Sequence, residues 1–353
     1  MITLQQITNY VSENITDPVQ KYIFIKEIQK AEPSTPEYIS AYNDMTQTKW
    51  YRELADEQNE DGSWGEYKKS GRRAEIKIKF IYTGVALRRA RELSLSKDDP
   101  MIAKCITILE KYLTGEAEIP GRIEVHQDGG KGNRIWRGFG PAMDLNMLDP
   151  HNPLVKPLQE SMTEILKVAF ESGLFNEDYF NEVEENYRIY IIGHPRISGG
   201  LMVMQKAECM DESLQRHYLN YVWGNTAAME LTRDYSKYKG IRKWPDEIGY
   251  MAGFLPINKK SLEEKDFITW LSLLELLSGF SLFGEFMKDD ALPHLLNEAD
   301  RLINSDVALP NPFSGHVKDC GNETNGRYAE NWRNKNKRKT DMILRIARII
   351  VKC

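Results

Sequence analysis

Cysteine is scarce in this chain, and what there is does not come in pairs. Cys105, Cys209, Cys320 and Cys353 lie far apart, with no Cys-x-x-Cys spacing. They read as free thiols in a reducing compartment. Basic charge is not in excess: 47 Lys and Arg stand against 52 Asp and Glu, for a net charge of −5. A general nucleic-acid binder, which neutralises phosphates with cations, is therefore not expected. Long apolar runs are missing as well. The richest, Phe267 to Met287, is interrupted by Glu275 and Glu285, and falls short of the roughly 18 uncharged residues of a membrane span. The opening Met1-Ile-Thr-Leu-Gln-Gln-Ile has no basic stretch followed by an apolar one, so no signal peptide is expected and the location expected is cytoplasmic. Strand signals are nearly absent too, since no segment alternates between turn pairs.

What is present is helical periodicity. Leu4, Ile7, Tyr10 and Val11 make a short apolar face, and a second helix is expected from Val19 through Lys30. Another is expected from Pro36 to Leu54, and a further one over Arg72 to Leu93. Pro100 follows Asp98-Asp99 and opens an amphipathic helix to Leu113. The stretch Gly121 to Asn152 has no helical period and carries five glycines between Gly129 and Gly140, which predicts a long loop. Helices are expected again at Pro153–Gly173, Glu177–Ile191, Leu201–Lys206 and Asp211–Tyr235, before an irregular stretch at Lys239–Lys260. Leu262 to Met287 is apolar almost all round, as in a helix surrounded by protein. Helices over Pro293–Asn304 and Thr340–Lys352 flank a polar loop, Asn311–Arg338, in which the basic run from Arg333 to Lys339 reads as solvated. No linker divides the chain, so a single all-α domain over 1–353 is expected, with an α-solenoid as the alternative to helix pairs closed on themselves.

The most specific local pattern is Leu54-Ala-Asp-Glu-Gln58-Asn-Glu-Asp-Gly62-Ser-Trp64-Gly65. Gly62 can take positive φ, Asp61 can hydrogen-bond the turn, and the Gln58 amide can satisfy backbone at a helix end beneath Trp64. The segment resembles the QW motif of the terpenoid cyclase and protein prenyltransferase superfamily. The resemblance implies an α/α toroid, in which the apolar 262–287 helix would take the inner ring. It also implies an enzyme acting on an isoprenoid-like substrate in a central cavity. The family's Asp-x-Asp-Asp acid is missing. Asp98-Asp99 and Asp289-Asp290 are followed by Ile102 and Pro293 where a magnesium-binding Asp-Asp-x-x-Asp would have its last carboxylate. They read as a helix N-terminal charge pair and a helix-end loop.

Other ligand motifs fail on spacing. His316, Asp319 and Cys320 are suitable zinc ligand types, but the family's Asp-x-Cys spacing is absent. A calcium loop built on Asn59-Glu-Asp61-Gly62 would need a Glu six residues after the glycine, where Lys68 stands. Asp128-Gly-Gly-Lys-Gly-Asn-Arg134 lacks the ending of a P-loop. No cofactor or metal is expected.

Aromatic and polar residues crowd three stretches, Arg134 to Asn146, Tyr187 to Arg196, and Tyr218 to Asn225. Such mixtures suit a cavity with apolar walls and a few convergent polar groups. His194 is the candidate acid/base, because imidazole titrates near neutral pH, and Asp144 its carboxylate partner. Trp136, Tyr187, Tyr190 and Trp223 are candidates to stack on a substrate or stabilise a cation, and Arg137 and Arg196 to hold an anionic group. Three readings follow: an isoprenoid-type enzyme, a carbohydrate-active toroid (lyase or hydrolase), and a non-catalytic toroid that holds a peptide or lipid. The expected partner is a small apolar or saccharide ligand, with no nucleic acid and no membrane-embedded segment. The sequence leaves oligomeric state open.

Overall fold

A computed structural model describes residues 2–65, 80, 83–119, 131–176, 203–224, 271, 274–289, 291–304 and 334–353, with the side chains of 131–139 and 224 excluded. Among the described residues the chain is helical, without a strand. It divides into two compact units, Met1–Ala103 with Phe283–Cys353, and Lys104–Leu282. No helix among the described residues is long and apolar enough to cross a membrane.

The first unit begins with α1 (Leu4–Asn14), fixed by a capping box in which Thr3 and Gln6 satisfy each other's backbone. α2 (Pro18–Ile23) starts with Asp17 as cap and proline in its first turn. It runs directly into a π-helical turn, Phe24–Ile28. The periodicity predicted one helix here, and the register slip is invisible to an apolar pattern that both forms satisfy. The helix expected over Pro36–Leu54 is two: α3 (Pro36–Thr46) and α4 (Lys49–Asp56). Thr48 explains the break, since its hydroxyl donates to the Met45 carbonyl and accepts from the Tyr51 amide.

Between α4 and α5 (Thr83–Glu92) lies the Gln58–Trp64 turn. Gly62 sits at φ 96, where a Cβ would be strained. Asp61 accepts from the Ser63 amide at 2.9 Å. The Gln58 amide donates to the Gly62 carbonyl at 2.9 Å and to the Met101 carbonyl, in the first turn of α6 (Pro100–Thr114), at 2.8 Å. Trp64 is fully buried, and its indole donates to the Leu54 carbonyl at 2.7 Å. The turn is thus a joint between α4 and the start of α6. Asp99 caps α6 by accepting from the Met101 amide at 3.0 Å. The reading of Asp98-Asp99 as a helix-start pair holds.

The unit closes with α10 (Phe283–Met287), α11 (Ala291–Asn304) and α12 (Lys335–Ile350). α12 packs on α1, α11 and the π turn. It begins five residues before the sequence-based expectation, because Asn334 caps the amides of Asn336 and Lys337. The basic run is not simply solvated. Lys337 reaches the buried Asp17 at 3.0 Å, and Lys339 donates to the Ile303 carbonyl. Residues 340–347 are buried without a gap, so this unit's enclosed helix is α12.

The second unit contains the rest of α6, then α7 (Lys131–Leu148), a 3-10 turn (Pro153–Val155), α8 (Lys156–Ala169) and α9 (Glu212–Gly224). α7 overturns the expected loop. Its glycines cost helix propensity, and Pro141 lies inside it. Burial of Pro141, Ala142, Leu145 and Asn146, with α7 packed against α8, outweighs that local cost. Gln159 ties the pair by donating to Asn146 Oδ1 at 2.7 Å. The apolar run expected as one helix to Met287 breaks at Ser278–Leu282. Gly279 and Phe280 there take three-residue hydrogen bonds back to Leu276 and Leu277, and Gln215 on α9 accepts from Ser281 and the Leu282 amide. Phe280 instead packs on the buried Tyr218 ring, with centroids 5.4 Å apart.

Candidate functional site

Of the residues singled out in the sequence, His194, Tyr187, Tyr190 and Arg196 lie outside the described residues, as do His316, Asp319 and Cys320. Trp136, Arg137 and Asp144 fall on one helix, α7. Asp144 is partly buried, and Trp223 is buried at the end of α9. Among the described residues no cluster of His, Cys, Asp and Glu is placed to hold a metal ion.

A second constellation, which the sequence reading did not single out, forms in the first unit around the π turn. Its floor is Asp99, 5% exposed. One carboxylate oxygen caps α6, and the other accepts from Tyr42 at 2.5 Å and Tyr51 at 3.4 Å. Beside it the fully enclosed Tyr22 ring packs edge-on to Tyr38 and Tyr42, with centroids 5.5 and 5.6 Å apart. The Tyr22 and Tyr38 hydroxyls meet at 3.0 Å. Tyr38, Tyr42 and Tyr51 are only partly buried, so the cluster opens to solvent on their side.

The π turn supplies two charges, and inserted residues of this kind recur at functional sites. Lys26 donates to the Ser94 carbonyl at 2.7 Å and to the Tyr22 hydroxyl at 3.2 Å. Glu27 takes a two-pronged contact from Arg348 of α12, at 2.8 and 2.7 Å, while the Ser94 hydroxyl donates to the same carboxylate. Ser94 sits at φ 55, an uncommon conformation for serine. Its hydroxyl and carbonyl thereby serve both charges of the turn.

The environment moves these groups in opposite directions. Burial lowers the Lys26 amine below its ordinary value, and the charges of Glu27, Asp98 and Asp99 only partly oppose it. Burial would raise Glu27, but the Arg348 guanidinium and the Ser94 hydroxyl outweigh it and leave the carboxyl below its ordinary range. Burial and hydrogen bonding keep Tyr22 and Tyr42 protonated far into alkali, Tyr42 through Asp99 and Tyr22 through Tyr38. The arrangement therefore combines a partly desolvated amine, two hydroxyls in series reaching toward solvent, and flanking carboxylates that disfavour anions. The signal in the sequence was faint: a Lys-Glu pair after the apolar Ile23-Phe24-Ile25, within a tyrosine-rich first fifty residues. Nothing in the spacing connects it to Ser94, Asp99 or Arg348.

Comparison of the chain with family models, with curated proteins and with solved structures finds no match in any of the three.

Proposed function

We propose that the chain is an enzyme of terpenoid cyclase or prenyltransferase type, acting on an apolar, isoprenoid-like substrate without an Asp-x-Asp-Asp acid. One observation carries the reading: the Gln58–Gly62–Trp64 segment closes as a helix-to-helix joint, with both Gln58 donors on backbone carbonyls and the indole on Leu54. This is the structural use that the QW-like pattern implies, and it supports kinship in architecture. In this reading the acid/base pair is His194 with Asp144, and Trp136, Tyr187, Tyr190 and Trp223 line the apolar walls, with Arg137 and Arg196 at an anionic end. Asp99 is not assigned the acid's role, because both of its carboxylate oxygens are already engaged, one by the Met101 amide and the other by the Tyr42 and Tyr51 hydroxyls.

The test is native mass spectrometry of the whole chain with farnesyl and geranylgeranyl diphosphate, and separately with acidic oligosaccharides. Retention of the prenyl probes supports the reading. Their loss in His194→Ala and Asp144→Ala, with unchanged circular dichroism, supports the residue roles. Retention of oligosaccharides alone overturns the isoprenoid assignment in favour of a carbohydrate-active protein.

A further inference from the structure

The π-turn cluster contains a nucleophile that the proposed isoprenoid chemistry does not use. We propose that Lys26 is a covalent capture site for aldehydes: its amine condenses with a neutral, planar carbonyl compound that lies against the Tyr38 and Tyr42 rings.

The geometry carries this in three parts. First, the Lys26 amine is held in place between the Ser94 carbonyl and the Tyr22 hydroxyl, and is not free to wander in solvent as a surface lysine does. Second, the side chain is only partly buried, and the tyrosines beside it are partly exposed, so a small molecule can reach it. Third, the Tyr22 hydroxyl is 3.2 Å from the amine and 3.0 Å from the Tyr38 hydroxyl, so a proton path runs from the reacting nitrogen to the surface. Burial of the amine adds to these by enlarging the fraction present as free base at neutral pH.

The chemistry balances without a co-reactant. The free amine adds its lone pair to the carbonyl carbon, and as the carbonyl oxygen takes up a proton from water the nitrogen gives one up along the Tyr22–Tyr38 hydroxyl pair, leaving a neutral carbinolamine. The nitrogen lone pair then expels the hydroxyl, which takes a proton relayed inward along the same pair and leaves as water. The iminium returns its one remaining proton to solvent, and an imine and one water are the products. Ligand class follows from the charges around the amine. Glu27, Asp98 and Asp99 face it, and together they oppose an anionic carbonyl compound. Glu27 is already committed to Arg348, and Asp99 to Tyr42 and Tyr51, so neither competes as a base. The condensation uses neither His194 nor Asp144, so it stands or falls separately from the isoprenoid reading.

The experiment uses the intact chain with benzaldehyde and cyanoborohydride at neutral pH, followed by peptide mapping over time. Lys49 and Lys156, whose side chains are 72% and 73% exposed, are internal standards. Lys26 is expected to be modified faster than either, by about tenfold or more. Tyr38→Phe, which removes one partly exposed hydroxyl, is expected to bring the Lys26 rate down toward the standards while the melting temperature stays put. Modification of Lys26 at or below the rate of Lys156 in the unsubstituted chain overturns the proposal. An unaltered Lys26 rate in a folded Tyr38→Phe chain overturns the proton path.

Discussion

Two joints lie near the start of α6, and they are built on opposite principles. The Gln58–Trp64 turn is local, and the bonds that tie it to α4 and α6 are made by neutral groups. An amide, a glycine and an indole within seven residues satisfy carbonyls of Gly62, Met101 and Leu54 around a ring with no exposure. The π-turn cluster is charged and assembled from far apart. Lys26 and Glu27 meet Ser94 and Arg348, the last 321 residues from its partner, and the charge of Asp99 acts on Lys26. Neutral bonds around a dry ring add stability with little to titrate. Charged bonds beside an opening keep groups at altered reactivity, and their stability depends on pH.

The contrast can be broken from the charged side first. Arg348→Ala removes the fork that compensates Glu27 and leaves a largely buried carboxylate without its guanidinium, though still bonded by the Ser94 hydroxyl. The expected loss is about 3–5 kcal/mol in urea unfolding at neutral pH. Glu27→Gln keeps the shape and removes the charge, for about 1.5–3 kcal/mol. Its effect is pH-dependent in a stated direction. Glu27 in the folded chain lies below its ordinary 4.5, so its contribution is full above that value and fades as pH falls through the folded-state pKa. The gap between the parent and Glu27→Gln should therefore be constant around neutrality and shrink in acid. A gap that widens in acid would show that Glu27 binds its proton more tightly in the folded chain.

On the neutral side, Gly62→Ala at φ 96 should cost about 1–2 kcal/mol through backbone strain, with no pH dependence between neutrality and mild acid. Equal sensitivity of Arg348→Ala, Glu27→Gln and Gly62→Ala to pH would erase the distinction between the joints. Away from both joints, Asn334→Ala, which uncaps α12, should cost about 1 kcal/mol.

The neutral joint was legible in the sequence because each of its rules is local: glycine for the turn, aspartate to hold it, glutamine and tryptophan on either side. Pro100 likewise announced α6 and Asp99 its cap. The helix at 131–148 was not legible, since its glycines and Pro141 argue against it locally and packing on α8 decides. The break at Ser278–Leu282 depends on Gln215 of α9, which no window around the apolar run contains. The π-turn cluster was hidden for the same reason. Lys26 and Glu27 look like ordinary polar positions until Ser94 and Arg348 are brought to them. Of the site read from sequence, α7 carries Trp136, Arg137 and Asp144, while its His194 half lies outside the described residues.

The claim that the Gln58–Trp64 turn is a closed structural joint has a direct test in hydrogen exchange of the Trp64 indole N–H, followed by NMR. That proton is bonded to the Leu54 carbonyl at 2.7 Å on a ring with no solvent exposure. Its exchange should occur only through cooperative unfolding, and so accelerate with denaturant along the same slope as global stability. Exchange that is fast in water and indifferent to low denaturant would contradict the account.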